Sequence, residues 1–273
     1  MNKNKKEINR GNFIFGGIVA AIIIIMVLVI YFANSSTTTT SKSKIASFDN
    51  KKVSNYIINK LSNVSISSIN KALSSSNSAK PVTAISGQTP LVKNNLPRVL
   101  YVGADFCPYC AAERWALVIA LSKFGTFSNL HYMTSSATDV YSNTATFTFY
   151  NSTYTSKYID FTPVETETNT YGKLQSLTNN ENSIFSKFDS YPYVSQSSAG
   201  SIPFVDIGNK GLIVGAQYSP SLLKGLRWNR IVDSIYSNNA PSLSVGMLSS
   251  AGRVIQAICK ITNGNPKSVC TKI

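Results

Sequence analysis

The chain has 273 residues, of which 43% are apolar and only 14% are charged, and its formal net charge is +14. This length suits one large domain with appendages. The lysines are scattered and form no basic helical face interleaved with aromatic residues, so we expect no nucleic-acid partner. Most of the polarity comes from Ser, Thr, Asn and Tyr, which stay hydrated when carboxylates protonate. Such a surface would suit an acidic exterior.

The N-terminal region predicts a membrane anchor. Residues 13–32 form an uncharged apolar run. At about 1.5 Å per residue, this run matches a hydrocarbon core of about 30 Å and exceeds the apolar region of a cleavable signal peptide. Residues 1–12 carry four basic residues and one acidic residue, so the positive-inside rule predicts a cytoplasmic tail and an extracytoplasmic remainder. Alternatively, Arg10-Gly11 resembles an archaeal pilin-type processing site, where cleavage would remove the simple anchor.

The next segments predict a stalk and an N-terminal extension. Residues 33–44 are rich in Ser and Thr and predict a flexible stalk. Within residues 45–73 apolar residues recur at helical spacing, which predicts two short helices packed on the main domain. An extended, partly ordered stalk is the alternative. Together with a loop-rich connection, these helices would form an extension over residues 45–96.

A strand followed by two cysteines opens the predicted central domain. Residues 98–103 are an apolar run typical of a buried strand. The segment DFCPYCAAERWA follows, with two residues between Cys107 and Cys110 and with Pro108 where a helix often begins. Apolar residues then recur at helical spacing. Residues 130–133 predict the next strand.

The second half of the chain predicts an insertion, a hairpin and two further helices. Two alternating segments predict strands separated by a polar linker, and residues 171–189 predict a helix. A β-hairpin, a helix beginning at Pro220 and reaching Ile235, and a last helix are predicted from the remaining apolar patterns. The strands cover residues 145–150 and 158–164, the hairpin covers 201–215, and the last helix covers 243–261. We therefore divide this part into a domain at 97–240, with an insertion around 145–195, and a C-terminal helix and tail at 241–273.

This order of elements resembles the thioredoxin fold, and CPYC resembles the motif of the glutaredoxins and of the bacterial periplasmic dithiol oxidases. Four segments are similar to one membrane-anchored, thioredoxin-like family of archaea and actinobacteria, known mainly as a domain of unknown function. They are YVGADFCPYCAAERWA, SSATDVYSNTATFTFYNSTYTSKYIDFTPVET, SIPFVDIGNKGLIVGAQYSPSLLKGL and ICKITNGNPKSVC. The resemblance implies an α/β, thioredoxin-like fold with an insertion and a C-terminal helical extension, preceded by one transmembrane helix.

Cys107 and Cys110 are the candidate catalytic residues. A thiolate at a helix N-terminus lies near unpaired N–H groups and the positive end of the helix dipole, which lowers the thiol pKa. Cys110, one turn later, could resolve a mixed disulfide. An inert staple is the alternative, although so short a loop would contribute little stability.

A metal site is the third interpretation of the cysteines. A structural zinc site needs four ligands, commonly two such cysteine pairs, and Cys259 and Cys270 do not form a second one. His131 with Met133 could suggest a copper carrier, but such carriers resemble CxxxC, and a lone histidine in a strand is usually structural. We therefore predict no metal.

Two departures from the thioredoxin pattern concern residues near the cysteines. Tyr101 stands where thioredoxins place a buried, proton-transferring aspartate. Asp105 and Glu113 could take that role, but we favour the interpretation that both are solvated. Phe106 replaces the usual tryptophan before the first cysteine, and Trp115 is predicted to lie in the core.

The thioredoxin resemblance implies that Ile202 and Pro203 lie opposite the cysteines. It implies a cis peptide bond there, with a backbone edge that binds the substrate chain. Cys259 and Cys270 are expected to form a structural disulfide. The alternative is a relay pair that exchanges electrons with Cys107.

Two classes of function remain. The first is a membrane-anchored, extracytoplasmic thiol–disulfide oxidoreductase acting on protein substrates with cysteines. The second is a redox-silent surface module that uses the same scaffold for binding, and a copper carrier is a weaker third hypothesis. No nucleotide-binding glycine motif is present, so we predict no cofactor and expect electrons to be exchanged with a partner protein.

Overall fold

A computed structural model describes residues 48–75, 78–237 and 241–273. The predicted cytoplasmic tail, the apolar run at 13–32 and the stalk at 33–44 lie outside these residues. Within the described ranges, no helix is both long enough and apolar enough to cross a membrane. The described residues belong to one compact unit.

The described residues fold as a mixed α/β structure. The helices are α1 (Asn55–Ser62), α2 (Ile66–Leu73), α3 (Pro108–Leu121), α4 (Asn179–Phe188), α5 (Trp228–Ser234), α6 (Pro241–Ile261) and α7 (Lys267–Cys270). The strands are β1 (Thr83–Ala84), β2 (Val92–Lys93), β3 (Leu96–Gly103), β4 (Gly125–Ser128), β5 (His131–Thr134), β6 (Ala145–Thr148), β7 (Thr153–Ser156), β8 (Asp160–Glu165), β9 (Phe204–Ile207) and β10 (Gly211–Val214).

Strand β3 lies at the centre of the main sheet. It pairs antiparallel with β9 on one side and parallel with β8 on the other, while β2 pairs with its first residues. The predicted hairpin is confirmed as β9 and β10, and β1 extends the sheet beyond β10. A parallel partner and two buried faces explain why β3 is a nearly continuous apolar run.

Side chains of β3 alternate between two apolar cores. Val99 and Tyr101 join the larger core, with residues of α3 and α6. Leu100 and Val102 join a smaller core with Phe188 of α4. Helices therefore cover both faces of the sheet.

The strand predicted at residues 130–133 is present as β5, but it does not continue the main sheet. It pairs with β6 in a separate two-stranded sheet. The strand that lies beside β3 is β8, which corresponds to the prediction at residues 158–164. The chain between α3 and β8 therefore forms two small sheets, β4–β7 and β5–β6.

The polar linker predicted before β8 is wrong in part, because residues 153–156 form β7 and pair with β4. Tyr154 explains the error. Its ring packs on Phe127 and Phe161, while its hydroxyl donates a hydrogen bond to Leu121 O at 2.9 Å. A tyrosine can therefore supply the buried side of a strand whose sequence is polar.

Two predicted helices are shorter than expected. Helix α4 begins only after Thr178, which forms a capping box with Glu181. The helix predicted from Pro220 to Ile235 divides into a 3₁₀ turn and α5. Gly225, with φ of +73°, lies between them, in a conformation that cannot continue a helix.

The N-terminal and C-terminal helices follow their predictions. Helices α1 and α2 are both present, each with a serine N-cap. Helix α2 packs on α6 at Gly252, where an added Cβ would lie 2.8 Å from atoms of Ile69 and Leu73. The close approach of these two helices therefore depends on a glycine at this position.

A disulfide joins Cys259 in α6 to Cys270 in α7, which confirms the predicted pairing. Between them the chain turns at Gly264, whose φ is +73°. The disulfide closes this C-terminal turn against the end of the long helix.

We predict that the double variant Cys259→Ser, Cys270→Ser lowers the free energy of unfolding by about 2–3 kcal/mol, because a loop of this length gains that much freedom in the unfolded chain. Urea denaturation would measure the change. The single variants should lose about as much as the double variant. An unchanged denaturation midpoint would contradict a stabilising role.

Candidate functional site

Cys107 caps the N-terminus of α3. Its backbone is extended, with φ of −77° and ψ of 119°, and its sulfur accepts a hydrogen bond from Cys110 N at 3.1 Å. Pro108 occupies the first turn, as predicted. The sulfur therefore occupies the position where a side chain satisfies the free N–H groups of a helix.

The two thiols have opposite acid–base tendencies. The pKa of Cys107 is lowered, chiefly by its hydrogen bond with the Cys110 thiol, with further contributions from the Cys110 N–H group and the charge of Arg114, while burial opposes them. The pKa of Cys110 is raised well above its usual value, mainly by burial. Both are free thiols. The pair can therefore hold a thiolate at Cys107 beside a protonated Cys110.

The cysteines differ little in exposure. Cys107 is 5% exposed and Cys110 is fully buried. The N-terminal cysteine is the more accessible one, but only a small part of it reaches solvent.

Ile202 and Pro203 lie beside Cys107. The Ile202–Pro203 peptide bond is cis, as the resemblance implied. The carbonyl oxygen of Ile202 lies 3.7 Å from Cys107 Sγ, within the range of a weak S–H···O hydrogen bond. The structure thus brings together the predicted catalytic and substrate-binding residues.

Two aromatic side chains are sequence neighbours of the cysteines and pair with rings from other segments. Phe106 packs on Tyr171 with a ring separation of 4.7 Å. Tyr109, between the two cysteines, is 42% exposed and contacts Tyr141 edge-on. Exposed tyrosines can bind apolar groups and hydrogen-bond at the same time.

A buried ion pair lies one helical turn beyond Cys110. Arg114 and Glu165 are both fully buried. Arg114 donates from Nε and Nη2 to the two carboxylate oxygens of Glu165, at 2.9 and 2.6 Å, and from Nη2 to Ala104 O at 2.7 Å. This bidentate geometry fixes the guanidinium beneath the start of α3.

The expectation that Asp105 and Glu113 are solvated is wrong. Asp105 is 2% exposed, and Arg114 Nη2 lies 3.5 Å from its Oδ1. Glu113 is fully buried, and its carboxylate accepts hydrogen bonds from Gln217 N at 3.1 Å and Ser250 Oγ at 3.4 Å. Burial is the largest cause that raises the pKa of each carboxyl to about 7.

Tyr101 and Trp115 are both in the core. The Tyr101 hydroxyl is buried without a hydrogen-bond partner, and the Arg114 guanidinium lies 5.9 Å from its ring centre. Trp115 is fully buried, as predicted, and donates to Ala145 O at 2.9 Å. The ring of Tyr101 and the guanidinium of Arg114 thus lie side by side in the core.

The residues considered for metal binding are not brought together. His131 lies in β5, opposite Thr148 of β6, and the other two cysteines are in the disulfide. In the part of the chain that the structure describes, no group of three or more His, Cys, Asp or Glu residues could hold a metal ion.

Arg114 and Glu165 were not predicted as site residues. A signal was present, because Glu113-Arg114 are the two charged residues of an otherwise uncharged helical segment. Charges within so apolar a helix indicate burial with partners. The sequence does not indicate that the partner of Arg114 lies at the end of β8.

The fold and the cysteine pair define a mixed α/β protein with two thiols at the start of a buried helix. The chain belongs to the family described as Domain of unknown function (DUF929), whose model matches residues 82–260. This confirms the predicted membership of a family of unknown function. The matched range includes Cys107, Cys110 and Pro203. No curated protein and no solved structure matches the chain.

The buried carboxyl of Glu113 predicts a pH-dependent stability. Its pKa rises from 4.5 to about 7 on folding, so between these values the folded state binds more protons than the unfolded state. The free energy of unfolding therefore falls as the pH rises through this window. The shift corresponds to about 3 kcal/mol at most.

We expect Glu113→Gln to raise the free energy of unfolding by about 1–3 kcal/mol at pH 8 and to change it little at pH 4. The reason is that the buried amide is neutral at both pH values, whereas the buried carboxyl must lose its proton at pH 8. Urea denaturation at both pH values would measure this. Asp139→Asn, at a partly exposed loop position, is the control and should not reproduce the difference. A Glu113→Gln protein that was equally destabilised at both pH values would contradict the prediction.

Proposed function

We propose that the chain is a thiol–disulfide oxidoreductase that acts on cysteines of other proteins. The observation that carries this proposal is the placement of two free thiols at the start of α3, where Cys107 Sγ accepts a hydrogen bond from Cys110 N at 3.1 Å and lies 3.7 Å from the carbonyl oxygen of Ile202. Only a thiolate attacks a disulfide, and a protonated neighbour can resolve the product after losing its proton.

We further propose that the scaffold is thioredoxin-like. The strand order β10-β9-β3-β8 supports this, with β8 parallel to β3, β9 antiparallel to β3 and β10 antiparallel to β9. The cysteine helix α3 follows β3, and α6 packs beside α3 in the same core. The cis Ile202–Pro203 bond next to Cys107 also agrees with this interpretation.

The location belongs to the same proposal. The apolar run at 13–32 and the basic residues before it favour a single-pass anchor with an extracytoplasmic domain. A disulfide such as Cys259–Cys270 persists in an oxidising environment. Membrane anchoring would hold the cysteine pair at the cell surface.

In the proposed reduction, the Cys107 thiolate attacks a substrate disulfide and forms a mixed disulfide. The substrate would lie along the backbone edge at Ile202 and Pro203. Cys110 then loses its proton and attacks Cys107 Sγ, which releases the reduced substrate and leaves a Cys107–Cys110 disulfide. Oxidation of a substrate dithiol follows the same steps in reverse.

A redox-silent binding module is the second candidate function. The low exposure of Cys107 favours it, because a partner must reach a sulfur that is almost covered. The exposed ring of Tyr109 would then serve for binding alone.

We expect Cys110→Ser to accumulate covalent complexes with partner proteins, because no thiol is left to resolve them, whereas Cys107→Ser should trap almost none. Non-reducing electrophoresis of cells expressing each full-length variant would show the difference. The detergent-purified wild type should also accelerate insulin reduction by dithiothreitol or the oxidation of a dithiol peptide.

Full activity of the Cys259→Ser, Cys270→Ser protein would exclude a relay role for that pair.

If the wild type accelerates neither reaction and Cys110→Ser traps no partner, the enzyme proposal fails. The binding module would then take its place.

A further inference from the structure

A buried cation lies next to the cysteine pair. Arg114 is four residues after Cys110 on α3, which places the two on the same side of the helix. The side chain of Arg114 is fully buried, with 0% of it exposed to solvent, and its Nη1 atom has no hydrogen-bond partner. A charge in such surroundings is weakly screened and acts over several ångströms.

The field of this cation reaches both sulfurs. The charge of Arg114 lowers the pKa of Cys107 and opposes the effect of burial on Cys110. Arg114 Nη2 and Cys107 N both donate hydrogen bonds to the carbonyl oxygen of Ala104, at 2.7 and 3.2 Å. This shared carbonyl group places the cation close to the end of α3 that carries both thiols.

Arg114 is also held in a fixed position. Glu165 is the last residue of β8, and Ala104 directly follows the last residue of β3. Both accept hydrogen bonds from Arg114, so the guanidinium joins α3 to the ends of the two central strands. Asp105 and the ring of Tyr101 are its other close neighbours.

We propose that Arg114, held in place by Glu165, is a positioning residue that stabilises the Cys107 thiolate and so favours electron transfer from substrate dithiols to the cysteine pair. The inference rests on the proposed function and deepens it. The substrates of the proposed reaction are proteins with two reduced cysteines.

The oxidation proceeds in two balanced steps. A substrate thiolate attacks Cys107 Sγ of the Cys107–Cys110 disulfide, and Cys110 leaves as a thiolate that takes up a proton. The second substrate thiolate then attacks the substrate sulfur of the mixed disulfide and releases Cys107 as a thiolate. Two electrons pass from the substrate to the pair, and one substrate disulfide forms.

The charge of Arg114 acts in the second of these steps. It stabilises the departing Cys107 thiolate, and a thiolate that is more stable leaves faster. The neutral disulfide form gains nothing comparable from the cation. The dithiol form of the pair is therefore stabilised relative to the disulfide, as in other strongly oxidising pairs.

The test compares two variants that break the same ion pair. Arg114→Met removes the cation, whereas Glu165→Gln keeps it and removes its counter-charge. The first should raise the pKa of Cys107 by about one unit, and the second should lower it. The pH dependence of Cys107 alkylation by iodoacetamide in the reduced full-length chain, read on its peptide by mass spectrometry, measures both values.

A second readout tests the direction of electron transfer. At neutral pH, the equilibrium constant for reduction of the pair by glutathione should fall about tenfold in Arg114→Met, in proportion to the change in thiolate stability. Arg114→Lys retains the charge and should keep this equilibrium constant close to the wild-type value. The disulfide at Cys259–Cys270 can be followed separately on its own peptides.

If both variants shift the Cys107 pKa in the same direction, the ion pair acts only on structure and the proposal is overturned. If Arg114→Met does not fold, a raised pKa in Glu165→Gln would still overturn it. The two proposals can also fail separately. If the wild type turns over neither insulin nor the dithiol peptide but the predicted pKa changes are observed, the proposed function fails and the effect of Arg114 on the thiolate stands.

Discussion

The bidentate contact between Arg114 and Glu165 joins the parts of the protein that form the candidate site. It connects the cysteine helix α3 to the end of β8, and the hydrogen bond to Ala104 adds the end of β3. Burying two charges is expensive unless they are paired with good geometry, and loss of one partner of such a pair typically costs about 3–5 kcal/mol. The start of α3 is therefore fixed relative to the sheet.

This constraint gives the two cysteines different environments although they are only three residues apart. Cys107 lies at the helix end, where N–H groups point toward its sulfur, while Cys110 lies inside the fold without contact with solvent. A flexible loop could not maintain such a difference. The packing of α3 against the central strands thus accounts for the chemical asymmetry on which the proposed mechanism depends.

Much of this arrangement could be predicted from local sequence. Apolar periodicity located β3, the β9–β10 hairpin and the long helix α6, and Pro108 after Cys107 indicated the start of α3. The positions of β5 and β8 in the fold could not be predicted in this way, because pairing with β3 is decided by contacts distant in sequence. The polar appearance of β7 concealed a strand, since the ring of Tyr154 supplies its buried face.

The environment of the charged residues at the site likewise could not be predicted from local sequence. Asp105 and Glu113 were assigned to solvent from their type alone, yet every residue of the helix that carries Glu113 is buried except Tyr109. The partner of Arg114 is 51 residues away in the chain, and neither residue type nor spacing identifies it. Residue patterns identified the candidate cysteines, but the charged groups that surround them depend on tertiary packing.

The most direct test of the account is the reduction potential of the Cys107–Cys110 pair in the wild-type protein. Equilibration in glutathione buffers, followed by alkylation and mass spectrometry, would measure it. We predict a reversible disulfide with a potential between about −120 and −270 mV, the range of catalytic pairs. Failure to form the disulfide, or a potential below about −300 mV as in structural disulfides, would contradict the central claim.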